Sequence, residues 1–167
     1  MEFNELVKIR RSVRDYKEAS VLEEDIKQII ETTLLAPSWK NSETGRYYVA
    51  LDADTINKVY NALPDFNKVS SKNAAYIIAT FKKGISGDGN DFWGSYDLGL
   101  QNSYLILKAK ELGYDTLIMG LRDEERIREI FSISDDEIML PVIAIGKRNN
   151  NPVNKPRKDL KEVLFIK

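Results

Sequence analysis

The stretch 91–112 constrains this chain more than any other part of it. Trp93, Leu100, Tyr104 and Leu107 follow one stripe at helical spacing, Leu98, Leu105 and Leu112 follow a second, and Ala109 lies between them. A surface helix carries one apolar stripe, whereas a helix apolar over more of its circumference is covered on several sides. The stretch therefore predicts a long central helix, or one that also meets a second subunit. Gly113 follows it, as a C-terminal glycine should.

The flanking segments mix helices with mostly short strands. Residues 3–9 read as a first helix, and Ser20-Val21-Leu22-Glu23 reads as a capping box that opens a second. Ile26, Ile29, Ile30 and Leu34 carry that second helix until Pro37 ends it near Ala36. Arg46–Leu51 is a strand, Thr55–Leu63 a modest helix, and Ala74–Phe81 a strand apolar enough to be covered on both faces. Asp115–Met119 is a short strand, Asp123 begins a helix with Ile127, Ile130 and Phe131 inward, and Glu137–Ile145 is the last strand. Pro141 lacks a donor, so that strand is expected at an edge or with a bulge. Lys82–Asn90 is a loop whose Gly84, Gly87 and Gly89 match neither a dinucleotide fingerprint nor a phosphate loop. Lys147–Asn154 is a polar tail expected to be mobile, and Leu160–Ile166 is apolar enough to dock somewhere. With no repeat and no linker, residues 1–167 form a single α+β domain.

Composition narrows the chemistry. Twenty-five basic side chains face 26 acidic ones, a net charge of −1, so no global field attracts nucleic acid or an anionic membrane. There is no cysteine and no histidine, which excludes disulfides, a thiolate nucleophile, a Cys/His zinc site and a Ser-His-Asp triad. A metal would need oxygen ligands; Asp88-Gly89-Asn90-Asp91 misses the calcium-loop spacing and reads as a turn, so no metal site is expected. An enzyme of this composition would draw its chemistry from a cofactor. Met1-Glu2-Phe3-Asn4-Glu5 has neither the basic lead nor the apolar run of a signal peptide, and no apolar stretch is long enough to span a bilayer, so a cytoplasmic location is expected.

Two stretches suggest a ligand. Arg10-Arg11-Ser12-Val13-Arg14 places three guanidinium groups around a serine, donors suited to a phosphate. The same run also fits a solvated basic end of a helix. Pro37-Ser38-Trp39-Lys40-Asn41-Ser42 offers an indole for stacking and polar groups for hydrogen bonding, or else an ordinary helix-to-strand loop with a packing tryptophan.

Together these stretches resemble the nitroreductase family of FMN flavoproteins. Arg10-Arg11-Ser12-Val13-Arg14 is similar to the family's amino-terminal Arg-x-Ser-x-Lys/Arg motif, and Ala36-Pro37-Ser38-Trp39-Lys40-Asn41 to its Ala-Pro-Ser-x-x-Asn loop. Asp97 to Gly120, with Gln101-Asn102, is similar to its central helix and following strand, and Lys155-Pro156-Arg157 to its carboxy-terminal Lys-x-Arg. Each is weak alone, but four in the right order cover nearly the whole chain.

The resemblance implies a mostly antiparallel central sheet flanked by helices, and an intertwined homodimer whose tail, 155–167, reaches the partner subunit. It implies an FMN-dependent oxidoreductase taking reducing equivalents from NAD(P)H and passing them by ping-pong transfer to a nitroaromatic, quinone or similar small acceptor. The alternative is an FMN-binding carrier or redox-sensing module. Arg10 and Ser12 would hold the FMN phosphate with Lys155 and Arg157, and Arg11 could share that role. Arg14 would support catalysis at the pyrimidine edge of the flavin, where charge develops on reduction. Pro37, Ser38, Trp39 and Asn41 would come from the partner subunit. The Met119-Gly120 backbone would lie near the flavin N5, and Asn67 would reach the pyrimidine edge. No side chain acts as nucleophile or base. Two features depart from the pattern: Glu43 stands where many relatives have Gln, and the chain is too short for the helical excursion that shapes the substrate channel of larger members.

Overall fold

In the computed structural model, which describes residues 2–18, 20–85 and 91–167, an antiparallel sheet is flanked by helices on both faces. Its strands are β1 (Gly45–Ala50), β2 (Ala75–Lys82), β3 (Asp115–Met119) and β4 (Glu137–Gly146), arranged in the order β1-β2-β4-β3. The helices are α1 (Phe3–Ile9), α2 (Glu23–Thr33), α3 (Ala53–Asn61), α4 (Asp65–Ser71), α5 (Phe92–Glu111) and α6 (Glu124–Phe131).

The alternation of β2 divides the core in two. Tyr76 and Ile78 face one layer, with Val59 of α3, Ile127 of α6, Leu117 and Met119. Ile77 faces the other, with Ile29 of α2, Leu105 and Ala109 of α5, Ile143 and Ile145. Because both faces are covered, β2 reads as a continuous apolar run rather than an alternating one. Helix α5 lies on the second face, where Gly94 lets it approach β2 so closely that a Cβ at that position would stand 2.4 Å from the Phe81 ring. Gly113, at φ +86°, ends the helix in the left-handed backbone that glycine adopts without steric cost. The outward flank of α5 stays uncovered in the single chain: Phe92, Trp93, Tyr96 and Tyr104 are exposed and apolar.

Several expectations are corrected. Helix α2 begins without a capping box, and Ser20 takes no part. Instead the Leu22 N–H donates to the Tyr114 hydroxyl at 3.3 Å, and that hydroxyl donates to Asp25 Oδ2 at 2.7 Å. Of the two settings expected for Pro141, an edge or a bulge, the second is the one found: β4 is internal, and Ile78 pairs with Val142 and Thr80 with Met139, so Leu140 and Pro141 together oppose Ala79. Helix α4 follows Pro64 where no helix was expected. The start of the polar tail is tied down, since Lys17 N–H donates to Lys147 O at 2.8 Å and Asn149 N–H to Asp15 O at 3.0 Å. The turn expected at Asp88-Gly89-Asn90 and the glycines Gly87 and Gly89 lie outside the described residues. No helix among the described residues is long and apolar enough to cross a membrane.

Candidate functional site

The segment after α1 does not end as a loose basic tail. Val13 N–H donates to Thr116 O at 3.1 Å, and Ser12 forms a parallel bridge with Thr116, so residues 12–13 extend the sheet beyond β3. Val13 and Tyr16 are buried beneath, which pins the backbone and turns the intervening polar side chains outward. Tyr16 then bridges to Arg148 in antiparallel fashion. These pairings bring the two ends of the chain side by side.

Between them lies a cavity of about 650 Å³ lined by Arg10, Arg11, Ser12, Arg14, Lys155 and Arg157, among others. Two basic clusters separated by most of the sequence therefore face one space. Arg11 is already engaged: its Nε and Nη2 donate to Asn154 Oδ1 at 3.2 and 2.8 Å, and its Nη1 to the Arg10 carbonyl at 2.8 Å. Asp15, the carboxylate at the rim, accepts from the Asn150 side chain. Among the described residues, Arg10, Arg14, Lys155 and Arg157 form no ion pair. Burial, then the charges of Arg157 and Arg11, pull the pKa of Arg10 below the ordinary guanidinium value. An anion in the cavity would relieve that repulsion.

The other residues singled out from the sequence lie elsewhere. Pro37, Ser38, Trp39 and Asn41 form the turn before β1, none of them lining the cavity. Trp39 N–H donates to Asp97 Oδ2 at 2.9 Å, Ser38 Oγ accepts from Glu43 N–H at 3.1 Å, and Asn41 Nδ2 donates to Glu43 Oε1 at 2.8 Å. Lys40 Nζ sits 4.6 Å above the indole centroid. Met119 is buried at the end of β3, Gly120 is exposed just beyond it, and the Gly120 carbonyl accepts from Arg122 Nη1 at 2.6 Å. Asn67, buried on α4, donates its amide to the Leu121 carbonyl at 2.9 Å and so braces the same turn. The sequence reading missed Asn154, Asp97 and Thr116. Nothing local marks them, because each acts on a residue far away in the chain.

A sequence model described as "Nitroreductase family" matches residues 7–85 and 65–147. Among curated relatives, "Putative NAD(P)H nitroreductase MhqN" of Bacillus subtilis is 26% identical and the match covers 93% of each chain. "Putative NADH dehydrogenase/NAD(P)H nitroreductase" of Archaeoglobus fulgidus is 25% identical over 84% of this chain and 82% of its own length. A crystal structure from Exiguobacterium sibiricum, described as "a putative nitroreductase in complex with FMN", shares the fold with a TM-score of 0.86 at 23% identity, covering 100% of this chain and 98% of that one.

Proposed function

The chain belongs to the nitroreductase family, and from that premise we propose that it is an FMN-dependent oxidoreductase using NAD(P)H to reduce nitroaromatic, quinone or similar small acceptors. The observation that carries this reading is the convergence of Arg10, Arg14, Lys155 and Arg157, none of them in an ion pair among the described residues, on one cavity built from both ends of the chain. The relatives' names and the FMN in the Exiguobacterium structure support the choice of cofactor.

The donor set fits a phosphate monoester. Arg10, Ser12, Lys155 and Arg157 would hold it through charge-assisted hydrogen bonds. Arg11, held by Asn154 and the Arg10 carbonyl, would brace the 150–157 segment rather than contact the anion. Arg14, exposed two residues after Ser12, would place a fixed positive charge at the pyrimidine edge. The Met119-Gly120 backbone and Asn67 would border the redox end. Trp39, with Pro37, Ser38 and Asn41, would wall the site of the partner subunit in a homodimer.

That assembly is supported by apolar surface the single chain leaves bare: the outer flank of α5, and a tail in which Phe165 and Ile166 are 83% and 84% exposed. The chemistry FMN supplies when bound is two-electron transfer, alternately from NAD(P)H and to the acceptor. The chain has no cysteine or histidine to offer a covalent or imidazole step, so its own contribution is anchoring, orientation and charge. Anaerobic mixing with NADH or NADPH tests the proposal. The visible flavin absorbance should bleach and return when a quinone is added. A protein that carries FMN yet stays oxidised under excess of both donors would favour the carrier or sensor instead.

A further inference from the structure

Lys40, Asn41 and Glu43 adopt φ values of 48°, 55° and 48°, three non-glycine residues in the left-handed region within one short turn. Such backbone is disfavoured for L-residues and persists only where the surroundings over-determine it. Part of the restraint is local. Ser38 Oγ holds the Glu43 N–H, and Glu43 in turn holds the Asn41 amide. The restraint from outside is Asp97 of α5, whose Oδ2 accepts the Trp39 N–H at 2.9 Å.

Asp97 is only 2% exposed and forms no ion pair among the described residues. Burying a carboxylate without a cation is costly, and an apolar side chain would fill that place more cheaply. One helical turn further, Gln101 is equally buried and lies against Gly45 so closely that a Cβ there would stand 2.0 Å from Gln101 Oε1. The Tyr47 hydroxyl donates to the same oxygen at 3.3 Å. At i and i+4, the two polar residues share one face of the helix and both address the segment 39–47.

We propose that Asp97 is a positioning residue. Seconded by Gln101, its carboxylate fixes Ser38–Glu43 in the backbone that presents the Trp39 indole and Asn41 to the flavin. The target of that presentation rests on the function proposed above; the clasp itself does not. The clasp also ties this wall to the helix whose outer flank is bare.

The test uses Trp39 as its own reporter, in the full chain with Trp93→Phe removing the other tryptophan. Asp97→Ala should make Trp39 more accessible to acrylamide quenching and raise the FMN dissociation constant about tenfold, the scale of one charge-assisted hydrogen bond. Asp97→Asn keeps an acceptor oxygen and should rescue both. In the unmodified protein the Trp39 amide should exchange with solvent about a hundredfold more slowly than an unstructured amide. A Trp39 amide without protection overturns the proposal even if no variant folds. So does Asp97→Ala with the quenching of its parent. If the parent takes up no FMN, the flavin reading falls, while quenching and exchange still decide the clasp.

Discussion

Replacing Arg10 by Ala should separate the stability of the empty protein from its hold on FMN. In the folded chain Arg10 is partly buried beside Arg157 and Arg11, and its pKa is depressed. A base with a depressed folded pKa destabilises the native state at every pH where the unfolded chain keeps it charged, here the whole working range. Removing that charge therefore leaves the empty protein as stable as before or slightly more so. The bound state behaves oppositely. A hydrogen bond to a charged group contributes about 1.5–3 kcal/mol, and about 1.4 kcal/mol is tenfold in affinity, so FMN binding should weaken roughly ten- to a hundredfold. The control is Arg126→Ala, whose exposed side chain pairs with Asp123. Arg128, which the sequence presents as an ordinary surface position, is unsuitable because its guanidinium joins Glu124 to the carbonyls of Ser134 and Glu137. Fluorescence titration with FMN and thermal melts with and without FMN read both quantities. Equal FMN affinity in the Arg10 and Arg126 variants would refute the phosphate role of Arg10, and a large loss of stability in empty Arg10→Ala would refute the repulsion.

Light scattering should report a dimer at micromolar concentration, and truncation after Asp159, which removes the exposed Leu160, Val163, Leu164, Phe165 and Ile166, should weaken it; a monomer, or a truncated dimer of full stability, would contradict the assembly. Tyr114→Phe removes the hydroxyl shared by Leu22 N–H and Asp25 and should cost about 1 kcal/mol, or about 2–4 °C in melting temperature; an unchanged melt would show that water replaces the cap. Burial pushes the Tyr47, Tyr48 and Tyr76 hydroxyls up to about 12, with Glu137 adding to the effect on Tyr48. The native state thus keeps protons that unfolded tyrosines release near about pH 10, so stability should be intact below about pH 10 and fall towards about pH 12. A melting temperature unchanged across that interval would contradict it.

The basic cavity was largely legible in the sequence, because the cationic side chains that line it come as two compact clusters, Arg10–Arg14 and Lys155–Arg157. The periodicity of 91–112 likewise announced α5 as a long helix. What escaped depends on contacts across long separations. Tyr114 caps a helix 92 residues before it, and Asp97 holds a turn 58 residues away, so the local Ser20 motif and the loop composition pointed elsewhere. Helix α4 escaped for a different reason. Its buried positions, Asn67 and Ser71, are polar while Phe66 and Val69 face outward, which inverts the pattern that marks an amphipathic helix. Pro141 signalled an edge or a bulge because donor loss is visible in one residue, and choosing between the two needed the neighbouring strand.

Comparing FMN with riboflavin on the unmodified protein tests the phosphate seat most directly, since the two ligands differ only in the group that Arg10, Ser12, Lys155 and Arg157 are assigned to hold. FMN should bind at least about a hundredfold more tightly than riboflavin at low salt, since two or more charge-assisted hydrogen bonds are lost with the phosphate, and the gap should narrow as salt screens the cavity. Equal affinities, independent of salt, would contradict that assignment.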